Sequence, residues 1–495
     1  MRHRLFKIFL FVLLLAACRG TAIPTPDAAL PDETPSAVIT STPNPPTETP
    51  LPREKVFVIL QEGNSLPQIP LAAKPSSQLV PDTRLGWGLY SSNIWNDIPH
   101  LDSIINQYTD FGIKRLDTSM QEIEEPIDWS RSEFEIAPEY DHFIDDLNEN
   151  GIAVNYMLHF WDKEGRANGD ELETPRFKTE EQIQDFLEYV RFVVSNFKGR
   201  VQYYTLWSEP DACGGSGVKC IEPLDYIELA RRVIPVIHDQ DPDAKVVTAP
   251  NVLYFDREYL FTVLRSDVIP MFDVISWHGI YNVTPDSEFY GDYYYEYPII
   301  LEEIKQTAAA NGFDGEFWGT ELSWCSADFP TCYSDDQPYK IIESDKIAAK
   351  YGSRGFVMQL GMDIGVGWGG IETSDQPWMY PTIQRLNTLM AGARPISHNV
   401  KIENEPSDTA TYAFELPDGS FLFAFWTNGV AQDKDSGIAT TLTFPDQSAH
   451  VAVGIDVLYG FEQELITDME NGNLVIRDLL VRDYPFLIKI IKDSP

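Results

Sequence analysis

Residues 201–211 read Val-Gln-Tyr-Tyr-Thr-Leu-Trp-Ser-Glu-Pro-Asp, and residues 316–324 read Glu-Phe-Trp-Gly-Thr-Glu-Leu-Ser-Trp. Each is a short, mostly apolar run that ends on a glutamate, Glu209 or Glu321, with a tryptophan close by. Runs of this length suit strands buried on both faces, which is how parallel sheets are built. Working outward, similar runs occur at 86–89, 113–117, 153–158, 246–249, 272–277 and 361–366. Between them lie amphipathic stretches such as 180–196, 224–238 and 297–311. In the second of these Tyr226, Leu229, Val233 and Ile237 recur at helical spacing.

Eight strand-plus-helix units over roughly 300 residues predict an α/β fold, a parallel (β/α)8 TIM barrel, across 83–392. Beyond Arg394-Pro395 the pattern changes to short, partly alternating runs at 411–416, 420–426, 439–444, 451–458, 474–480 and 486–491. Turn signals such as Asp418-Gly419 and Asn471-Gly472 divide them, which predicts a C-terminal β-sandwich over 393–495. The lead-in at 55–82 carries a Val-containing run at 55–60, a candidate extra strand of that sandwich.

The N-terminal 54 residues read differently. Arg2, Arg4 and Lys7 precede an apolar run at 8–17, shorter than the roughly 20 residues a membrane span needs. A basic start, a short apolar core and small residues at its end make 1–17 a secretory signal. Leu15-Ala16-Ala17-Cys18 resembles the lipobox of bacterial lipoproteins, which implies acylation of Cys18 and anchoring to a membrane or cell surface outside the cytoplasm. Residues 18–54 are a Pro/Thr-rich linker. The part from 21 to 54 holds nine prolines and seven threonines, too little apolar surface to offset chain entropy. An extended segment of that kind spans on the order of 100 Å and would lift the folded part off the membrane.

Formal net charge is −39, and loss of Arg2, Arg4 and Lys7 with the leader takes it to −42. Charge of this sign excludes nucleic acid and anionic lipid surfaces as partners of the folded part. Four cysteines remain after Cys18. Cys213 with Cys220, and Cys325 with Cys332, each enclose six residues, and two local disulfides are the first of three possible pairings. Neither pair has the close spacing or histidine partner that zinc favours. The Gly-rich run at 365–370 lacks the spacing of a dinucleotide loop, and no cofactor is expected.

In a parallel barrel, chemistry sits at the C-terminal ends of the strands. Glu209 and Glu321 follow the fourth and seventh strands, which face each other across the mouth. A pair of carboxyl groups flanking one bond is what glycoside hydrolysis needs, one protonated and one ionised.

At this point the sequence resembles clan A of the glycoside hydrolases, families 39 and 5 above all, over 83–392. Gly112-Ile113-Lys114-Arg115, Ile123-Glu124-Glu125-Pro126, Leu158-His159-Phe160-Trp161, Ser276-Trp277-His278-Gly279-Ile280-Tyr281 and Gly367-Trp368-Gly369 fall in the order that clan shows. The resemblance implies a retaining mechanism on β-linked oligo- or polysaccharide, with Glu209 as acid/base and Glu321 as nucleophile. It makes Arg115 the arginine that steadies the nucleophile, assisted by Tyr281, and Trp368 the floor of the sugar site. His159, Trp161 and His278 become substrate-binding residues, with a satisfied core histidine as the lesser alternative for His159 and His278. Trp87, Trp161 and Trp324 either stack on sugar or fill the rim. The tyrosines of 290–297 read as a loop after the sixth strand, lining a subsite or packing outside the barrel. One departure stands out: Ser208 occupies the place where the clan has asparagine, whose amide binds the sugar 2-hydroxyl. A shorter side chain with a single donor fits a non-catalytic, glycan-binding lipoprotein as the alternative reading.

Overall fold

The computed structural model describes residues 58–89, 101–118, 136, 138–158, 177–211, 220–328, 342–369, 376–406, 408–445 and 451–491. Cys18, His159, Trp161, Cys213 and Cys332 lie outside the described residues.

After a short strand β1 (Gln68–Pro70), eight parallel strands close into a barrel: β2 (Leu85–Leu89), β3 (Arg115–Thr118), β4 (Ala153–Leu158), β5 (Tyr203–Leu206), β6 (Lys245–Val247), β7 (Val274–His278), β8 (Glu316–Leu322) and β9 (Gly365–Trp368). Around them, among the described residues, run α1 (Leu101–Phe111), α2 (Pro138–Glu149), α3 (Glu180–Asn196), α4 (Pro223–Gln240), α5 (Leu253–Leu264), α6 (Gly291–Ala310), α7 (Asp345–Gly361) and α8 (Met379–Met390). The strands are buried almost throughout, because helices cover one face and barrel contents the other. Helix α3 shows how locally the chain dictates this. Thr179 and Gln182 form a reciprocal capping box at its start, while Ile183, Phe186, Val190 and Val193 bury one stripe.

The C-terminal part forms two antiparallel sheets. Its strands are β10 (Arg394–Pro395), β11 (Lys401–Glu403), β12 (Thr409–Glu415), β13 (Phe421–Thr427), β14 (Ile438–Phe444), β15 (Val451–Asp456), β16 (Phe461–Glu464), β17 (Asp468–Glu470), β18 (Asn473–Val481) and β19 (Phe486–Ile491). Seven strands are ordered β1-β16-β15-β19-β13-β12-β10, and four are ordered β11-β14-β18-β17. The lead-in joins both sheets: β1 pairs with β16, and Gln61 bridges Leu479 of β18.

Strand β13 shows the division of labour, since its side chains alternate between two cores. Phe423 and Phe425 point into the space between the sheets with Leu442, Ile476 and Ile488. Leu422, Ala424 and Trp426 belong to the same apolar cluster as the barrel and its helices. Barrel and seven-stranded sheet therefore share one core. A polar clamp secures the seam: Lys350 of α7 donates to Asp483 Oδ1 at 2.6 Å, and Arg354 donates to the Asp483 carbonyl at 2.8 Å and to Gly429 O at 2.7 Å.

Residues 290–297 differ from expectation. They are not a loop but the start of α6, with Tyr293, Tyr294 and Tyr297 turned inward. Tyr293 donates to Gly279 O at 2.7 Å, Tyr297 accepts from Trp277 Nε1 at 3.1 Å, and Tyr294 donates to Asn428 of the sandwich at 3.0 Å. They fasten β7 and the sandwich to α6, so a sugar-lining role does not fit them.

Candidate active site

The turn leaving β5 is bent by two residues in left-handed backbone, Trp207 at φ 75° and Glu209 at φ 44°. Side chains rarely adopt this region, and holding one there costs on the order of 1–3 kcal/mol. Local bonds fix the turn: Trp207 N–H donates to Leu158 O at 3.1 Å, and Glu209 N–H to Pro250 O at 2.9 Å. Across the mouth Glu321 has φ 53°. It lies where β8 slips against β9, three steps from Gly319 to Leu322 matching two from Val366 to Trp368. A bulge of this kind re-aims a side chain, here at the end of a barrel strand.

Between the two glutamates stands His278, the last residue of β7. Its Nε2 is 3.6 Å from Glu209 Oε1, and its Nδ1 is 3.6 Å from Glu321 Oε2. One carboxylate oxygen of each glutamate and a ring nitrogen all fall within 4.8 Å of one another. The glutamate side chains are 23% and 24% exposed and the histidine 3%, so both acids are open to a ligand while the imidazole is fixed. Thr320 Oγ1 donates to Trp277 O at 3.0 Å and lies 3.1 Å from His278 Nδ1. With its own proton committed, that hydroxyl accepts, which places the imidazole hydrogen on Nδ1. Nε2 is then the nitrogen that faces Glu209. One imidazole and two carboxylates are also a donor set that a divalent cation can use, at the expense of both acids.

Two expected site residues sit elsewhere. Arg115 does not steady Glu321: it opens β3 instead of closing it, and is fully buried in the lower barrel. There it donates to Asp117 through Nε at 2.8 Å and to Thr83 O at 2.5 Å, and its guanidinium lies 3.7 Å over the Trp318 ring. A Cβ on Gly86 would come within 2.2 Å of Nη2, so the glycine makes room for it. Asp117 in turn accepts from Asn155 at 2.9 Å, and Asn155 from Thr205 at 2.8 Å, a polar chain across β3, β4 and β5. Trp368 is not a sugar floor either. It is fully buried and stacks on Phe356 of α7 at 6.1 Å, on the helix side of β9.

Tyr281 lies on the rim, its backbone bridging Ser323 and its hydroxyl 3.9 Å from Cys325 Sγ. Ser208 is buried beside Glu209. Trp87 packs edge-on against Phe111 at 4.5 Å, and Trp324 stacks on Tyr351 at 6.4 Å, so both fill space behind the site. Cys220 and Cys325, each half of an expected disulfide, are buried.

Sequence reasoning missed Asp211, two residues past Glu209. Its Oδ2 accepts from Val252 N–H at 2.9 Å, and its Oδ1 is buried without a hydrogen bond from another described residue. Burial pushes this carboxyl up to about 6, the Val252 amide works against that, and the charge of Glu209 adds to it. Its place inside Trp-Ser-Glu-Pro-Asp was the available signal.

No protein-family model matches the chain, and no curated protein sequence matches it. Solved structures do. A family 39 glycoside hydrolase from the gut symbiont Bacteroides cellulosilyticus WH2 is similar over 85% of this chain and 83% of its own, with 16% identity and a TM-score of 0.58. A glucosidase from Croceicoccus marinus is similar over 86% and 100%, with 14% identity and a TM-score of 0.54. A family 51 α-L-arabinofuranosidase from Bifidobacterium longum is similar over 86% and 98%, with 13% identity and a TM-score of 0.52. Barrel and sandwich together thus make the fold found in these glycoside hydrolases.

Proposed function

We propose that this protein is a retaining glycoside hydrolase acting on an extracellular, β-linked oligo- or polysaccharide. The observation that carries the reading is the approach of the Glu209 and Glu321 carboxylates, within 4.8 Å at the ends of β5 and β8. Retaining enzymes hold their carboxyl groups about 5–5.5 Å apart, whereas inverting ones leave about 6.5–9.5 Å for a water. Glu209 donates its proton to the departing glycosidic oxygen as Glu321 attacks the anomeric carbon. The C–O bond to the leaving group breaks and an ester to Glu321 forms. Glu209, now ionised, takes a proton from water, whose oxygen attacks the same carbon and releases Glu321. His278, held by Thr320, fits a spacer that keeps the two acids at their separation.

The test is stereochemical. A panel of aryl xylosides, glucosides and mannosides together with β-glucans identifies a substrate, and proton NMR follows its first-formed anomer. Product of the starting configuration is expected; prompt formation of the opposite anomer sinks the assignment of Glu321. Ser208 favours one rival, a glycan-binding lipoprotein on a barrel without activity. Saccharide binding by calorimetry with no product from the whole panel would establish that rival.

Secretion and acylation at Cys18 complete the proposal, and the compartment they imply permits disulfides. Pairing Cys213 with Cys220 and Cys325 with Cys332 closes two eight-residue loops just past the two glutamates. Each should contribute about 2–3 kcal/mol by restricting the unfolded chain. Peptide mapping without reduction should show both links, and four free thiols in the exported protein would rule them out.

A further inference from the structure

Three backbone strands are tied in series beneath Glu209. The turn 207–211 leaves β5, residues 248–252 leave β6, and His278 ends β7. Glu209 N–H reaches Pro250 O at 2.9 Å, and His278 N–H reaches Asn251 O at 3.0 Å, with Val252 and His278 paired as a parallel bridge. The Asp211 side chain closes this arrangement by taking the Val252 amide at 2.9 Å. It therefore grips the segment on which the relative placement of Glu209 and His278 depends.

A neutral acceptor such as asparagine would hold the same amide. A carboxylate is costly here, because Oδ1 is buried and receives no hydrogen bond from another described residue. Among the described residues, the titratable groups that act on it are Glu209 on its own turn, His278 on β7 and Tyr259 on α5. Glu209 is two residues away and also acidic, so a negative Asp211 disfavours a second negative charge there. That is the condition a proton donor to a leaving oxygen requires at neutral pH.

We propose that Asp211 is a positioning residue for Glu209: ionised, it fixes the turn that presents Glu209 and, through its charge, keeps a proton on it. This rests on Glu209 being the acid/base. The carboxylate is there for its charge, and its hydrogen bond alone does not explain it.

The buried charge has a signature in stability as well. Because burial raises Asp211 to about 6, the folded state holds this proton more tightly than the unfolded chain does. The associated stability is present below about pH 4, the ordinary range of an aspartate, and is lost as pH rises through about 6. Above that, wild type carries a cost that Asp211→Asn does not.

The experiment compares wild type, Asp211→Asn and Glu209→Ala on an aryl glycoside turned over in the panel above, with kcat/KM measured from pH 4 to 9. Asp211→Asn should lower kcat about tenfold with KM little changed, and move the alkaline limb to lower pH by about half a unit or more. Its Tm should exceed that of wild type at pH 8, with the difference closing toward pH 4. An alkaline limb that stays in place overturns the inference, whatever happens to Tm, because a merely structural aspartate would not move it. If Glu209→Ala abolishes turnover while Asp211→Asn keeps the wild-type profile, this inference alone falls. If Glu209→Ala is as active as wild type, or nothing in the panel is cleaved, the assignment of Glu209 falls and takes this one with it.

Discussion

Glu321→Ala should lose turnover of an activated aryl glycoside by a factor on the order of 10^4 or more, and sodium azide should restore much of it. A loss of that size corresponds to about 5.4 kcal/mol of transition-state stabilisation. Alanine removes the attacking oxygens but leaves Glu209, His278 and the bulge that aims position 321. The space vacated beside the anomeric carbon admits a small anion. Azide entering there attacks from the face that Glu321 used, so the glycosyl azide should have the configuration opposite to that of the substrate. Because Glu209 is intact, the leaving group still receives its proton in this single displacement. Hydrolysis at wild-type rate by the alanine variant would remove Glu321 from the reaction altogether. A glycosyl azide of retained configuration would mean that the two glutamates had been assigned the wrong way round.

The second large effect concerns folding. Asp483→Ala should destabilise the protein by about 3–5 kcal/mol, because it leaves the buried Lys350 ammonium without its charged partner. Burial pulls Lys350 down and pushes Asp483 up, each against the attraction of the other. Desolvation thus offsets much of what the ion pair gains, and the pair adds little over an apolar contact of the same shape. The loss of one member is what hurts. Lys350→Met combined with Asp483→Leu should therefore cost much less than the sum of those same two substitutions made singly. Denaturant unfolding of the four proteins measures this coupling. A cost below about 1 kcal/mol for Asp483→Ala would show that water reaches the lysine, contrary to its burial.

The barrel was legible because parallel strands are buried on both faces and so appear as unbroken apolar runs, as at 153–158. Glu209 and Glu321 were legible for a related reason, since each follows such a run and the mouth of a barrel is where strands end. What misled was register and direction. Arg115 reads as the middle of the run 113–117, but β3 only begins there, and its other end is about 10 Å farther on. Trp368 does close its strand, yet the alternation of side chains turns it toward α7 and away from the mouth. Tyr290, Tyr293, Tyr294 and Tyr297 carry helical spacing, which a glycine and two acidic residues among them obscure. Contacts such as Lys350 with Asp483 join residues 133 positions apart and leave no local trace.

The alternation along β13 has a practical outcome for anyone dividing this protein or exchanging its parts. A cut near Ala391 would leave Leu422, Ala424 and Trp426 on one fragment and the barrel's share of their apolar cluster on the other, each a raw oily face. Neither fragment should stay in solution by itself, and heating the intact chain from Val58 onward should melt it in a single step. A swap that grafts this barrel onto a foreign sandwich would have to carry the seven-stranded sheet along with it.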